Sequence, residues 1–374
     1  QSLKDKGNTV LVVEHDPDVI KTADHVIDIG PLAGKDGGEI TFEGTYTDLL
    51  KSQTSTGQAL HRTHTLKNDI RSNNDMLEIN DISKNNLQHI TTQLPKHAMT
   101  VVTGVAGSGK SSLITSAFEK DSHAIFIDQK PAHASNRSNL LTYLNIFDDV
   151  RAFFSQQTGL KKSMFSYNSE GACPECHGKG IIKTELAFMP DFSQTCEMCG
   201  GTRYRPEVLE AKVDGYSIAD ILSLTVQEAI EKFKNDKHIV QPLQALANTG
   251  LNYMTLGQSL DTLSGGEIQR VKLSKYLTET VHDAIFIFDE PTTGLHEDDL
   301  PILIECFNHL IDQGNTVILI EHNLTMMTQA DWFIDIGPYA GDKGGQLLYS
   351  GEPQGLLDVE QSVTAKHLRR YIEQ

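Results

Sequence analysis

The sequence predicts an α/β fold built on a largely parallel sheet, with a helical subdomain and an inserted four-cysteine module. Three observations predict it. Met99–Leu113 (MTVVTGVAGSGKSSL) reads as an apolar strand, a glycine-rich loop and the start of a helix. Asp283–His296 (DAIFIFDEPTTGLH) reads as an unbroken apolar strand ending in two carboxylates, and such runs suit parallel strands covered on both faces. Between them stand two tight cysteine pairs, Cys173/Cys176 and Cys196/Cys199.

The first element along the chain is a repeat. Gly7–Glu39 (GNTVLVVEHDPDVIKTADHVIDIGPLAGKDGGE) returns without a gap as Gly314–Gln346 (GNTVILIEHNLTMMTQADWFIDIGPYAGDKGGQ). Glu14 matches Glu321, His15 matches His322 and Asp28 matches Asp335. Each copy reads strand, Glu-His, helix, strand, glycine-rich turn and closing strand. The copies lie much farther apart than the roughly 20–50-residue period of solenoid repeats, so the pattern fits two large homologous domains in tandem. The expected layout is the tail of a first domain over 1–50, a polar linker over 51–75 and a second domain over 76–374. Within the second, the cysteine module covers about 165–206 and a helical subdomain about 207–280. Gln rather than Met at position 1 suggests a fragment or processed chain.

Composition sets limits on partners. The 374 residues allow roughly two domains, and 50 acidic against 32 basic side chains give a net charge of −18. That balance argues against a surface that is basic throughout and leaves room for a local basic patch. Apolar runs such as Ala284–Phe288 are strand-length, so no membrane span is expected, and no secretory signal is visible. Cys306 stands alone in an apolar helical stretch and reads as a buried core thiol.

The loop at 104–111 fits G-x-x-x-x-G-K-[ST] through Gly104, Gly109, Lys110 and Ser111, with Gly107, Ser108 and Ser112 completing it. Glycines let backbone N–H groups turn onto phosphate oxygens, and the following helix points its positive end at the same anion. Lys110 would reach the outer phosphates and Ser111 would offer a hydroxyl to Mg²⁺. After the apolar strand, Asp289 is placed to hold that Mg²⁺ through water and Glu290 to polarise an attacking water.

Thr262–Leu277 (TLSGGEIQRVKLSKYL) opens a helix, and Ser264 and Glu267 have the spacing of a capping box. Gly265 and Gly266 leave the first N–H groups of that helix uncovered, which makes a second anion site. The cysteines follow C-x₂-C-x₁₉-C-x₂-C, the spacing of a four-thiolate zinc site. Gly178, Gly180, Gly200 and Gly201 allow knuckle turns around the sulfurs, and a hairpin is expected between the pairs.

LSGGE with the following QR, GVAGSGKSS, FDEPTTGL and IEH together resemble the motif set of ABC-type ATPases. The resemblance implies an ABC nucleotide-binding domain with a helical signature subdomain. It makes Gln129 the Q-loop glutamine and His322 the switch histidine on the γ-phosphate, with His15 its counterpart in the first copy. In that family two nucleotide domains meet head to tail, and each ATP lies between the phosphate loop of one and the signature helix of the other. A zinc module nested between phosphate loop and signature, with DEPTTGLH and ADHVIDIGP, is similar to the UvrA proteins over nearly the whole chain.

That resemblance implies ATP, Mg²⁺ and Zn²⁺ as cofactors, damaged or distorted duplex DNA as a partner, and nucleotide excision repair in the cytoplasm. It implies a homodimer for the full-length protein. The UvrB-contacting region of the family lies in the first half. Basic candidates for DNA phosphate are Lys179, Lys183, Arg203, Arg205, Arg270, Lys272 and Lys275. Lys130–Asn139 (KPAHASNRSN) departs from the family's pattern and keeps Arg137, Ser138 and Asn139, and the stretch from phosphate loop to first cysteine pair is short. Both point to a divergent paralogue, of the kind linked to tolerance of DNA-binding drugs. A transporter's ABC motor and a non-hydrolysing binding module remain the alternatives.

Overall fold

The apolar runs Met99–Thr103, Ile285–Asp289 and Thr316–Ile320 become strands, and two of them end at Asp289 with Glu290 and at Glu321 with His322. Residues 10–13, expected as a strand, form none. A computed structural model describes residues 3–14, 17–31, 34, 37–71, 74–130, 138–184 and 192–373. It divides into two units, residues 1–126 with 282–374, and residues 127–281.

The first unit opens with an antiparallel pair, β1 (Val26–Gly30) and β2 (Glu39–Gly44), from the first repeat copy. A second antiparallel pair follows, β3 (Met76–Ile82) and β4 (Ile90–Pro95). The main sheet contains β5 (Met99–Thr103) and β6 (Ala124–Ile127). In the other unit β7 (Ile181–Thr184) and β8 (Phe192–Thr195) form an antiparallel hairpin. The main sheet then gains β9 (Ile285–Asp289), β10 (Thr316–Ile320), β11 (Trp332–Gly337) and β12 (Gln346–Gly351). Its spatial order is β12-β11-β5-β10-β9-β6, with β11, β5, β10 and β9 parallel.

Every residue of β5 and β10 is buried, as expected of central strands covered on both faces. The helix Leu300–Asp312 packs on the sheet, with Phe307 and Phe288 rings 4.8 Å apart, and it buries Cys306. Parallel strands bring their carboxyl ends to one edge, where an α/β sheet binds ligands.

The repeat is structural. β1/β2 and β11/β12 share one register, and each has its irregularity at the matching place, between Asp28 and Ile29 and between Asp335 and Ile336. The likeness also continues past Leu50 into the stretch read as linker. Thr54 caps the helix Ser55–Ala59 as Ser362 caps Val363–Ile372. Thr56 Oγ1 donates to Asp28 Oδ1 at 2.9 Å, as Thr364 Oγ1 donates to Asp335 Oδ1 at 3.4 Å. Beyond it, polar side chains of the linker region serve a buried carboxylate. Asp331 Oδ1 accepts from Lys67 Nζ at 2.5 Å and the Arg71 N–H at 3.0 Å, while Oδ2 accepts from the Met99 N–H at 2.9 Å.

The other unit is mainly helical. Phe147–Thr158, Val226–Lys232, Lys237–Ala247 and Gly265–Thr278 surround a core of Phe154, Phe165, Leu243, Ile268 and Val271. The β7/β8 hairpin stands between the cysteine pairs as expected, and residues 185–191 at its tip lie outside the described set.

Candidate functional site

Three neighbouring strands of the first unit, β5, β10 and β9, deliver candidate residues to one edge of its sheet. The loop after β5 carries Gly104, Gly107 and Gly109 at φ of +133°, +74° and +109°, a region L side chains avoid. At Gly104 the demand is also spatial, because a Cβ would stand 1.9 Å from the carbonyl oxygen of Ile336. Helix Lys110–Phe118 then starts with no side chain capping it, so its first N–H groups face the loop. Lys110 is buried and donates Nζ to the carbonyls of Gly104 at 3.1 Å and Val105 at 3.0 Å. Burial pulls its pKa down, against the opposing pull of Glu290, Asp289 and Asp335.

Ser111 Oγ donates to Asp289 Oδ2 at 3.4 Å, joining the helix start to the end of β9. Burial raises the Asp289 pKa and the Glu290 charge adds to it, while Ser111, Lys110 and His322 oppose. A carboxylate under that strain gains from a divalent cation. Glu290 follows at φ +49°, its N–H on the Ile320 carbonyl at 2.9 Å, and its Oε1 lies 3.7 Å from His322 Nε2. Burial lowers the His322 pKa and the Lys110 charge adds to it, against Asp289, so the imidazole is neutral near pH 7. Lys110, Ser111, Asp289, Glu290 and His322 thus meet at one sheet edge. Ser108 is buried behind the loop, and Ser112 Oγ accepts from Asn85 Nδ2 at 2.9 Å.

Two groups here are not apparent from motif reading. Asn86 Nδ2 reaches the carbonyls of Gly107, Ser108 and Gly341 at 3.2, 3.1 and 3.2 Å, which turns those carbonyls away from the phosphate side of the loop. Nothing in its local sequence marks it. Glu321 is buried and bonds both the segment after β9 and the segment after β10. Its only sequence signal is the match with Glu14.

In the second unit Ser264 and Glu267 form the expected capping box, Ser264 N–H to Glu267 Oε2 at 2.8 Å and Glu267 N–H to Ser264 Oγ at 3.3 Å. Tyr253 OH adds a bond to Glu267 Oε1 at 2.6 Å. Gly266 is buried, and a Cβ on Gly265 would stand 2.6 Å from Gln129 Oε1, so the Gln129 side chain lies against the helix start.

Cys173, Cys176, Cys196 and Cys199 are all buried with their sulfurs within 4.8 Å of one another. The Cys173–Cys196 and Cys176–Cys199 Sγ distances are 3.9 and 3.7 Å. Four thiolates about 2.3 Å from a tetrahedral zinc would lie about 3.8 Å apart, so the cluster fits that ion. Gly178 is required nearby, since its Cβ would meet the Tyr167 carbonyl oxygen at 1.8 Å.

The basic candidates divide. Arg270 is buried, and Lys272 Nζ is bonded to Asp128 Oδ1 at 2.5 Å and to the carbonyls of Asp128 and Lys130 at 2.9 and 2.7 Å. Both are engaged within the fold and are not open phosphate contacts as expected from sequence. Arg203 stacks over Tyr167, Arg205 is part-buried, and Lys179 and Lys275 are exposed. His15, Arg137 and the side chain of Lys183 lie outside the described residues. Among the described residues no helix is long and apolar enough to cross a membrane.

The family model described as ABC transporter matches residues 87–293. UvrABC system protein A of Clostridium perfringens (strain 13 / Type A) is 40% identical over 407 residues, covering 100% of this chain and 43% of the relative. The protein of that name from Staphylococcus aureus (strain COL) is 41% identical over 408, again covering 100% and 43%. The chain therefore spans less than half the length of these curated relatives. The first alignment is longer than the 374 residues here, so that relative carries residues with no counterpart in this chain. Among solved structures, UvrA2 from Deinococcus radiodurans superposes with a TM-score of 0.90 at 39% identity, over 99% of this chain and 49% of that one.

Proposed function

The chain belongs to the ABC transporter family of nucleotide-binding domains and is UvrA-like within it, and on that premise we propose that it is the ATP-binding part of a DNA-binding repair ATPase. The observation that carries the ATPase reading is the meeting of Lys110, Ser111, Asp289, Glu290 and His322 at one sheet edge. In this reading Gly104, Gly107, Ser108, Gly109 and Lys110 cradle the phosphates. Ser111, Ser112 and Asp289 serve Mg²⁺, Glu290 polarises water, and His322 and Gln129 sense the γ-phosphate. Mg²⁺ would neutralise charge developing on the phosphates. Ser264, Gly265 and Gly266 cap an ATP bound to a partner nucleotide domain, so an isolated chain turns over slowly.

Zinc on Cys173, Cys176, Cys196 and Cys199 orders the hairpin module. Duplex DNA distorted by damage is the partner, read by shape and deformability. Action in the cytoplasm, dimerisation of the full-length protein and a UvrB-like partner belong to the same reading. The altered segment Lys130–Asn139 and the short stretch from the phosphate loop to Cys173 favour a second version, a paralogue that confers tolerance to DNA-binding drugs.

The test is ATP turnover with and without duplex DNA, in wild type and Glu290→Gln. Glu290→Gln keeps ATP affinity and lowers turnover by about 100-fold, the low end for a lost general base. Unchanged turnover removes Glu290 from that role. Failure to retain duplex DNA even at low salt, where counterion release favours binding, defeats the DNA reading.

A further inference from the structure

We propose that Glu321 is a positioning residue that holds the water-polarising Glu290 and the switch His322 in register, a role that rests on the ATPase reading above. Its carboxylate is 1% exposed, and both oxygens are fully used. Oε1 accepts from the Thr292 N–H at 3.0 Å and from Thr292 Oγ1–H at 2.6 Å. Oε2 accepts from the N–H groups of His322 at 2.7 Å and Asn323 at 2.9 Å. One oxygen thus grips the segment leaving β9, two residues past Glu290, and the other grips the segment leaving β10 at His322 itself.

The segments need such a tie. Glu290 sits at φ +49°, a strained value for a side chain, inside a turn closed by the Thr293 N–H on the Glu290 carbonyl at 3.1 Å. The third residue of that four-residue turn is Thr292, which Glu321 holds. Glu290 and His322 reach out from adjacent strands and end 3.7 Å apart in half-exposed positions, beyond the last ladder bond, from the Glu290 N–H to the Ile320 carbonyl at 2.9 Å. A buried carboxylate is costly unless each lone pair has a donor. Here four donors converge, two from each segment, so its ionised form binds the two segments as one body.

The chemistry makes Glu321→Gln diagnostic. The amide has the same shape but one accepting oxygen, and the Thr292 hydroxyl can also accept, so the NH₂ turns to Thr292. The Thr292 N–H loses its partner, and the segment carrying Glu290 is released while His322 and Asn323 stay held. The full chain is compared as wild type, Glu321→Gln, Thr292→Val and the double variant, each checked for cooperative melting. We expect Mg-ATP affinity within about threefold of wild type and single-turnover hydrolysis reduced at least about tenfold, within the range that an ångström of misplacement costs. Thr292→Val moves hydrolysis the same way by less, and adding it to Glu321→Gln gives no further loss.

Carbon-13-labelled histidine spectra, with His322 assigned by its own substitution, read the geometry without hydrolysis. Glu290 then leaves its place 3.7 Å from His322 Nε2, and the His322 titration shifts from its wild-type position. A folded Glu321→Gln whose His322 titration is unchanged, or whose ATP affinity falls as far as its turnover, overturns the proposal. If wild type fails to hydrolyse ATP, the ATPase reading falls while the His322 titration still decides the positioning. If Glu321→Gln does not fold, the His322 titration of Thr292→Val decides it in the same way.

Discussion

At the scale of single residues, Gly104 shows how narrowly the phosphate loop is specified. Its φ of +133° and the 1.9 Å approach of the Ile336 carbonyl to a Cβ leave no relaxed position for alanine. Gly104→Ala should lower unfolding free energy by about 1–3 kcal/mol from backbone strain, with a further contribution from displacing β11. Denaturant titration checks this, and a midpoint equal to wild type would show that the loop can move aside. The cysteines make a second case. Cys176→Ser should lose bound zinc by elemental analysis, since the remaining three thiolates cannot close the tetrahedron. Retained stoichiometric zinc would remove Cys176 from the ligand set. Both sites were legible because a fixed spacing of few residue types implies one local geometry. Asn86 and Glu321 were not, because their roles rest on contacts across sequence separations that no local pattern encodes. Arg270 shows the opposite failure, an expected surface cation that the fold buries beside Glu267.

At the scale of elements, the cap of the signature helix and the seat of the linker carry distinct predictions. Ser264→Ala removes the acceptor for the Glu267 N–H and leaves Glu267 with the Tyr253 hydroxyl and the Ser264 backbone N–H. Loss of such a cap costs about 1 kcal/mol, read as a lower melting temperature in a variant that otherwise folds as before. An unchanged melting temperature would show that Tyr253 and the backbone hold the helix start without the hydroxyl. The linker segment is held by its polar side chains. His64 stacks on Tyr371 with centroids 4.4 Å apart, and burial depresses its pKa, with Arg62 adding to that and Glu297 opposing. A depressed folded pKa means that the unfolded chain binds the proton more readily. The stability tied to neutral His64 therefore stands above about pH 6.5 and drains as pH falls below it. His322 has the same sign, so His64→Gln should shrink, without abolishing, the drop in melting temperature between about pH 7.5 and 5.5. An identical drop in both proteins would rule out His64 as a contributor. In sequence this stretch reads as a polar linker, because a one-residue slip before Thr54 hides its likeness to the stretch before Ser362 and because polar residues do not reveal which distant groups they hold.

At the scale of the whole molecule, the repeat places one phrase in two environments. In the second copy Ile318 and Ile320 are 0% and 3% exposed, central in a sheet between β5 and β9. Their counterparts Leu11 and Val13 are 87% and 88% exposed, and Ile27 and Ile29 stand open where Ile334 and Ile336 are buried. Nearly the same residues thus form a core strand once and an unpaired segment once, so sequence pattern alone could not say which. Partners decide it: β10 has a phosphate-loop strand and an acid-tipped strand on either side, and residues 10–13 have neither among the described residues. An exposed apolar row of this kind marks a surface suited to being covered. Backbone protection should follow pairing rather than sequence. Hydrogen exchange of peptide 7–14 should therefore run near the unstructured rate while peptide 314–321 stays protected by orders of magnitude. Equal protection would mean that the first copy is paired after all, and dilution would then tell a second copy of the chain from a contact within one: protection supplied by another copy fades as the protein is diluted, whereas protection from within the chain does not.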